Sequence, residues 1–275
     1  MSILDNYATA SARDAAYPAA SNIGRCIFRT DSQAIEVSDG TNYLTYLNDG
    51  VLGTGTFTSN SYSVELDGTN DYIDTNNKFD FIQQTCNFSI TCWVKIIDHT
   101  STAANQFIVH SSIGSSNPGV MFWYDNRSSA KKLRFLLSGL GSSIDVSNGI
   151  TDNNWHHYAL TCANGGDQKL YKDGSLIGSQ SAPSTTTNTA YHNLLLGAAY
   201  DTSTSLVTNP MNGYLDEVAI FNRELTSTEI SNIINNKAYL NFFAMYRLEN
   251  NANDENGVND GTNFNATFVT SEKPY

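Results

Sequence analysis

The pair Asp216-Glu217, inside the run GYLDEVAIFNREL (213–225), is the nearest this chain comes to two carboxylates set for acid–base work. Glycoside hydrolysis needs two carboxyl groups about 5 Å apart in retaining enzymes, and farther apart, with room for a water, in inverting ones. Alternate side chains share a face of a strand, so a working pair is expected at positions i and i+2. Adjacent residues point to opposite faces, and this spacing argues against Asp216 and Glu217 as a catalytic couple. No other expected strand carries alternating acids, so no catalytic residue is assigned and a non-enzymatic protein is expected. Among five histidines, His156-His157 suggest a metal, but adjacent strand residues cannot grip one ion. One ring is expected to face out and the other to pack within. No nucleophile elbow supports a Ser-His-Asp arrangement.

Sugar recognition asks for aromatic platforms beside polar side chains. MFWYDNR (121–127) offers Trp123 and Tyr124 next to Asp125 and Asn126. GAAYDTSTS (197–205) offers Tyr200 and Asp201 in an expected rim loop. These six are the candidate carbohydrate contacts.

The composition says what must position them. Of 275 residues, 40% are hydrophobic and only 15% charged, so the surface draws its polarity from Asn, Ser, Thr and Gly, a strand-and-turn composition. The net charge of −12 argues against nucleic acid, whose phosphates demand a basic surface, and suits a protein that holds divalent cations. No apolar run of about 18 residues provides a membrane span. The first residues lack the basic start and apolar stretch of a signal peptide, so synthesis in a cytosol is expected. Four cysteines show no zinc-like or C-x-x-C spacing, and Cys92 and Cys162 sit in apolar runs as buried thiols.

From about 48 to 236 short strands follow one another with turns between them, the pattern of a two-sheet sandwich. FSITCWVKI (88–96) alternates Phe88, Ile90, Cys92, Val94 and Ile96 against Ser89, Thr91, Trp93 and Lys95. Asp173-Gly174 is a two-residue hairpin signal. In WHHYALTC (155–162) either alternating set could face the core. One helix is expected, from Thr226 as N-cap with Glu229 three residues on, burying Ile230, Ile233 and Ile234.

In order, SVELDGTNDYIDT, FSITCWVKI, WHHYALT, LYKDGSLIG, LLLGAAYD and MNGYLDEVAIFNRELTSTEI resemble a laminin-G-like domain of the concanavalin A-like lectin/glucanase folds, over residues 48–236. The resemblance implies an all-β jelly-roll sandwich with one short C-terminal helix. It also implies a structural calcium near the Asp of LDEV, which makes Asp216 the leading ligand, with Asp67 and Asp71 as helpers. The glucanases of this fold carry an E-x-D-x-x-E run that this chain lacks.

Residues 1–47 read as a separate attachment or oligomerisation segment with strands at Cys26–Arg29, 34–37 and Tyr43–Leu47. A hairpin this small needs a partner to bury its surface. YPAASNIGRCIFRTDSQAIEVSDGTNYL resembles segments of tail and capsid-associated proteins of tailed bacteriophages, through Pro18, Gly24, Asp31, Asp39, Gly40 and Tyr43. That resemblance implies a virion surface protein, a capsid decoration, head fibre or tail fibre, anchored to other virion proteins through 1–47, with a homotrimer as the favoured oligomer and a cell-surface glycan as a candidate partner. An alternative is a carbohydrate-binding adhesin of the tail fibre. Release by lysis would make a signal peptide unnecessary.

Asn-Asp-Gly followed by Thr-Phe occurs twice, ending at Thr56-Phe57 and at Thr267-Phe268. The apolar strand Ala244, Tyr246, Leu248, expected at the start of such a domain, stands instead near the C-terminus. Segment 237–275 is therefore expected to complete its own sandwich or to dock on a neighbouring subunit.

Overall fold

The strand Phe88–Ile96 is buried along its whole length except at Lys95: one alternating set enters the main core, and Ser89, Thr91 and Trp93 are covered on the other side of the sheet. The computed structural model describes residues 50–275, apart from 58, 98, 101–104, 114–117, 128–130, 140–142, 182–184, 186–190, 202–203 and 205, together with four strands before them. Phe88–Ile96 lies at the middle of an eight-stranded antiparallel sheet. On one side come His156–Cys162, Gln168–Lys172 and Ser175–Gln180; on the other, Asn212–Phe221, Ser63–Asp67 and Thr267–Val269. Ala244–Tyr246 pairs with the far half of Asn212–Phe221.

The facing sheet has seven strands: Ile144–Ser147, Lys132–Ser138, Gly119–Asp125, Gln106–His110, Leu195–Leu196, Tyr72–Asp74 and Thr262–Phe264. Its inward residues, among them Val120, Phe122, Tyr124, Leu133, Phe135 and Leu137, meet Phe88, Ile90, Cys92 and Val94 in the main core. The result is the all-β sandwich expected. Burial of this many apolar side chains, each removing surface from water, is what holds the two sheets together.

Trp155–Cys162 is also settled: Tyr158, Leu160 and Cys162 enter the main core, while Ala159 joins a second core on the other side of the same sheet. That second core holds Phe221, Ile230, Ile233, Tyr239 and Phe242, and the helix Ser227–Asn236 covers it. The capping box forms as the sequence indicates: the Glu229 N–H donates to Thr226 Oγ1 at 3.2 Å, and the Thr226 N–H donates to Glu229 Oε2 at 2.8 Å. A second, short helix, Phe81–Thr85, has no such cap and was not expected.

The early strands Asp5–Tyr7, Cys26–Arg29, Ala34–Ser38 and Tyr43–Leu47 continue into Gly50–Thr56, which pairs with Ala238–Phe242 in a six-stranded sheet. The two Thr-Phe copies therefore lie in different places. Thr56 ends the strand against Ala238, and Phe57 packs on the second core. Thr267–Val269 instead extends the edge of Ser63–Asp67, with Phe268 against the main core. Thr262–Phe264 extends Tyr72–Asp74 on the other sheet. The C-terminal segment thus adds a strand to each sheet of its own sandwich.

Candidate functional site

On the outer face of the seven-stranded sheet, Phe107, Met121 and Trp123 alternate with the inward residues of their strands and form a small cluster of their own. A hairpin, Ala199–Asp201 with Leu206–Thr208, stands beside them. Between hairpin and sheet lies a cleft of about 300 Å³ whose walls include Phe107, His110, Met121, Tyr200, Asp201 and Asn209. The Phe107 N–H donates to the Asn209 carbonyl at 3.2 Å, tying the hairpin's exit to the sheet.

Two stacked pairs shape the cleft. Tyr200 stacks on His192 with ring centroids 4.0 Å apart, so its ring is held from behind. Phe107 stacks on Trp123 at 5.5 Å, and the Arg134 guanidinium caps the Trp123 ring at 4.9 Å. Arg134 is itself neutralised by Asp145, at 2.8 Å, and Asp125, at 3.4 Å. The His110 ring accepts the Tyr200 N–H at Nδ1, at 3.3 Å, which leaves its proton on Nε2. Burial, with His192 nearby, holds His110 down at about 3, so it is a neutral imidazole at physiological pH. The cleft thus offers aromatic faces, a neutral histidine, hydroxyls and an amide, with Asp201 as the one carboxylate among its lining residues.

Of the six candidate contacts, Tyr200 and Asp201 line the cleft. Trp123 lies beside it, but Phe107 and Arg134 cover its faces and leave it only 5% exposed. Tyr124, one position on, turns to the main core, and its hydroxyl donates to the His99 carbonyl at 2.7 Å. Asp125 is engaged with Arg134 and with Arg127 at 3.8 Å, and Asn126 is buried. The expected patch at 123–126 is therefore divided by strand alternation. Phe107, His110, Met121 and Asn209 were not singled out from sequence. Phe107 and His110 share one strand and Met121 lies on the next, whereas Asn209 follows the hairpin about ninety residues on, and nothing local marks them as neighbours.

The carboxylate pair needs a correction. Asp216 pairs with Trp93 and Ala219 with Thr91, so a β-bulge sets Glu217 and Val218 opposite Cys92 alone. Glu217 takes a φ of 48°, which turns it to the same outer side as Asp216, while Val218 keeps its place in the main core. Adjacency therefore does not separate the two acids. Both are fully buried, however, and they lie on the eight-stranded sheet, not at the cleft. Asp216 accepts from Asn60 Nδ2 at 2.6 Å and from the Glu217 N–H at 2.8 Å; burial outweighs these bonds and pushes its carboxyl well up. Burial also raises Glu217, against the pull of Arg247 at 3.3 Å.

The calcium set does not fit a single ion. Asp71 Oδ2 accepts the Asp67 N–H at 3.0 Å, and Asp67 Oδ1 the Thr69 N–H at 2.7 Å, closing one turn. Asp67 pairs with Asn212, which places Asp216 four residues farther along, roughly 13 Å away at the rise of a strand. Among the described residues, no three His, Cys, Asp or Glu side chains gather as metal ligands. The two histidines do separate. His157 is fully buried against Trp93, whereas His156 sits at the rim between Asp173, at 2.7 Å, and Asp152, at 3.0 Å.

Comparison with known proteins bears on this geometry. The Laminin_G_3 family, described as the concanavalin A-like lectin/glucanases superfamily, matches residues 67–231. Botulinum neurotoxin type E of Clostridium botulinum is 27% identical over 187 residues, which are 62% of this chain and 13% of the toxin. The chain therefore spans a small part of that relative's length. Among solved structures, a candidate carbohydrate-binding protein from Bacteroides ovatus superposes with a TM-score of 0.59 at 16% identity, over 78% of this chain and 61% of that one. A heptameric SAP-like pentraxin from Limulus polyphemus gives 0.52 at 11% identity, over 76% and 94%.

Proposed function

The chain belongs to the concanavalin A-like lectin/glucanase superfamily, and from that premise we propose that its sandwich is a carbohydrate-binding module. The observation that carries this reading is Tyr200, an aromatic ring braced by His192 at the mouth of a cleft with Asp201, Thr208 and Asn209 about it. An aromatic face gives the apolar side of a sugar a surface, and the polar groups fix its hydroxyls. The carbohydrate-binding description of the Bacteroides ovatus protein supports the same reading. Hydrolysis is no part of it: the cleft walls carry one carboxylate where two are needed, and Asp216 and Glu217 are sealed elsewhere. Nor does it rest on one calcium ion held jointly by Asp67, Asp71 and Asp216, since these three do not converge.

The setting we propose is the surface of a tailed-phage virion, as a capsid decoration or part of a fibre, with 1–47 as the anchor, 48–236 as the lectin-like domain and 237–275 as its completing segment. The resemblance of Pro18, Gly24, Asp31, Asp39, Gly40 and Tyr43 to virion proteins supports it, and a homotrimer suits either place. A receptor-binding tail fibre is the second reading, favoured by the same cleft. A glycan array probed with the full chain and with Tyr200→Ala tests the binding; signal lost in the variant is expected, and no signal from either protein sinks the proposal. Mass spectrometry of purified particles tests the setting, which fails if the chain is absent from them.

A further inference from the structure

Outside the cleft, Phe264 is the most exposed aromatic ring on the described surface, at 38%, and it does not stand alone. It stacks on Tyr72 with centroids 4.5 Å apart and ring planes within 5°. The two residues are direct partners on neighbouring strands, Tyr72 in Tyr72–Asp74 and Phe264 in Thr262–Phe264. Ile73, between Tyr72 and Asp74, is in the main core, so Tyr72 and its partner Phe264 face outward. One face of Phe264 rests on Tyr72, and the residue as a whole stays 38% exposed.

This pair shares the outer face with the cleft, and the strand registers fix how the two are related. Met121 and His110, both cleft residues, are direct partners; His110 pairs on with Leu195, Leu195 with Asp74, and Asp74 with Thr262. One row of residues thus runs from the cleft to the edge strand. From His110 to Thr262 is three strand spacings, roughly 14 Å. Gln106–His110 and Tyr72–Asp74 each run antiparallel to Leu195–Leu196 and so run in the same direction. Going from His110 back to Phe107 therefore follows the same direction as going from Asp74 back to Tyr72. The Tyr72–Phe264 pair lies toward the Phe107 end of the cleft.

His110 and Leu195 in this row are buried, so a ligand would pass over the groups that cover them, and the polar groups described beside the row are neutral or acidic. Asn76 Nδ2 donates to Thr262 Oγ1 at 3.0 Å, and Asn265 Nδ2 to the Asn70 carbonyl at 3.4 Å. The charged side chains on this path are Asp74 and Asp201, and among the described residues no lysine or arginine lines the cleft. In the sequence, 113–118 and 202–205, which adjoin cleft residues, also contain no Lys or Arg. The whole chain carries −12. Anionic sugars would meet repulsion from these carboxylates, with no lysine or arginine among the described lining residues to offset it.

We propose that the outer face of the seven-stranded sheet binds an extended, uncharged oligosaccharide at two aromatic platforms, Tyr200 in the cleft and Phe264, backed by Tyr72, at the sheet edge. This rests on the carbohydrate-binding reading above and adds to it a length and a charge class. A cross-strand aromatic pair also stabilises a sheet edge by packing alone. Binding and stability must therefore be measured together.

The test is an array of neutral and acidic oligosaccharides of increasing length, followed by calorimetric titration of the best binders, on the full chain, Tyr200→Ala, Phe264→Ala and Phe264→Tyr. The expected result is that neutral chains bind, longer ones more tightly than disaccharides. Phe264→Ala should lower affinity for the long chains by about tenfold, as loss of one aromatic contact implies, and leave disaccharides unchanged. Phe264→Tyr should restore the long-chain affinity, which a stability effect alone would not produce with melting temperatures matched. If acidic glycans bind best, or if Phe264→Ala binds every length as the unmodified chain does, this inference is overturned while the carbohydrate-binding reading stands. Absence of any binding by the unmodified chain would remove both.

Discussion

Glu217 Oε1 lies 3.3 Å from Arg247 Nε, with the glutamate side chain fully buried and the arginine 15% exposed. Arg247 also meets Glu249 at 3.3 Å, donates to the Ser59 carbonyl, and sets its guanidinium 4.7 Å from the Phe57 ring centroid. Glu217 is placed there by the bulge, so its charge cannot swing out to water.

Removing the cation alone should be costly. Arg247→Met leaves Glu217 buried and uncompensated, and a loss of about 3–5 kcal/mol is expected from breaking one side of a buried pair. The double variant Glu217→Gln/Arg247→Met should recover a large part of that. Urea unfolding followed by fluorescence measures both; a single-variant loss within the error of a surface substitution would mean that Glu217 is protonated and indifferent to Arg247.

The bulge also marks where sequence reading stops. The alternation in Phe88–Ile96 was legible because every second residue is apolar, and the Thr226–Glu229 box because its bonds are local. Trp155–Cys162 was not, since both of its sets are buried, one in each core. One inserted residue at Glu217 reverses the parity on which the argument about adjacent acids relied, and nothing in LDEV announces it. The same parity, intact in Gly119–Asp125, separates Trp123 from Tyr124 and so divides a patch that looked continuous. The cleft itself joins His110 to Tyr200, ninety positions apart, through a hydrogen bond from the Tyr200 N–H to the His110 ring.

His156 gives a pH signature. Asp173 first, and Asp152 second, hold its imidazolium, so its folded value lies above the ordinary 6.5. A histidine raised on folding contributes stability that is complete below its unfolded value and is lost as pH rises through the folded one. His110 and His157 act in the opposite sense: burial lowers each to about 3, so their contribution is present above 6.5 and lost as pH falls. The whole profile is therefore mixed, and the difference between the unmodified chain and His156→Asn isolates one group. That difference in melting temperature should be largest on the acid side of 6.5 and shrink steadily on the alkaline side; a difference flat with pH would show that the histidine is not charged there.

The last residues act as a clasp over the outer side of the eight-stranded sheet. Lys95 Nζ meets Glu272 at 2.6 Å, and Ser63 Oγ donates to the Glu272 carbonyl. Tyr275 lies edge-on to Trp93 at 6.3 Å, with Lys237 Nζ 3.8 Å from the Tyr275 ring centroid. Deleting 272–275 should uncover Trp93, now 8% exposed, and shift tryptophan emission to the red. The expected loss is roughly 1–3 kcal/mol, from one partly buried aromatic and its cation contact. An unchanged emission maximum would mean that other groups shield Trp93.

Two tyrosines that look alike in sequence should separate function from packing. Tyr124→Phe removes the hydroxyl bond to His99 and should cost about 1 kcal/mol of stability while leaving glycan affinity intact, because the ring stays in the core. Tyr200→Ala removes a partly exposed ring and should do the reverse, lowering affinity by about tenfold or more with little change in stability. His110 itself should add no pH dependence to binding at neutral pH, since burial holds it down at about 3 and its Nδ1 accepts the Tyr200 N–H. Calorimetric titration and thermal melts on both variants check this. If Tyr124→Phe weakened binding as much as Tyr200→Ala, the ligand would have to lie elsewhere than in the cleft beside the hairpin.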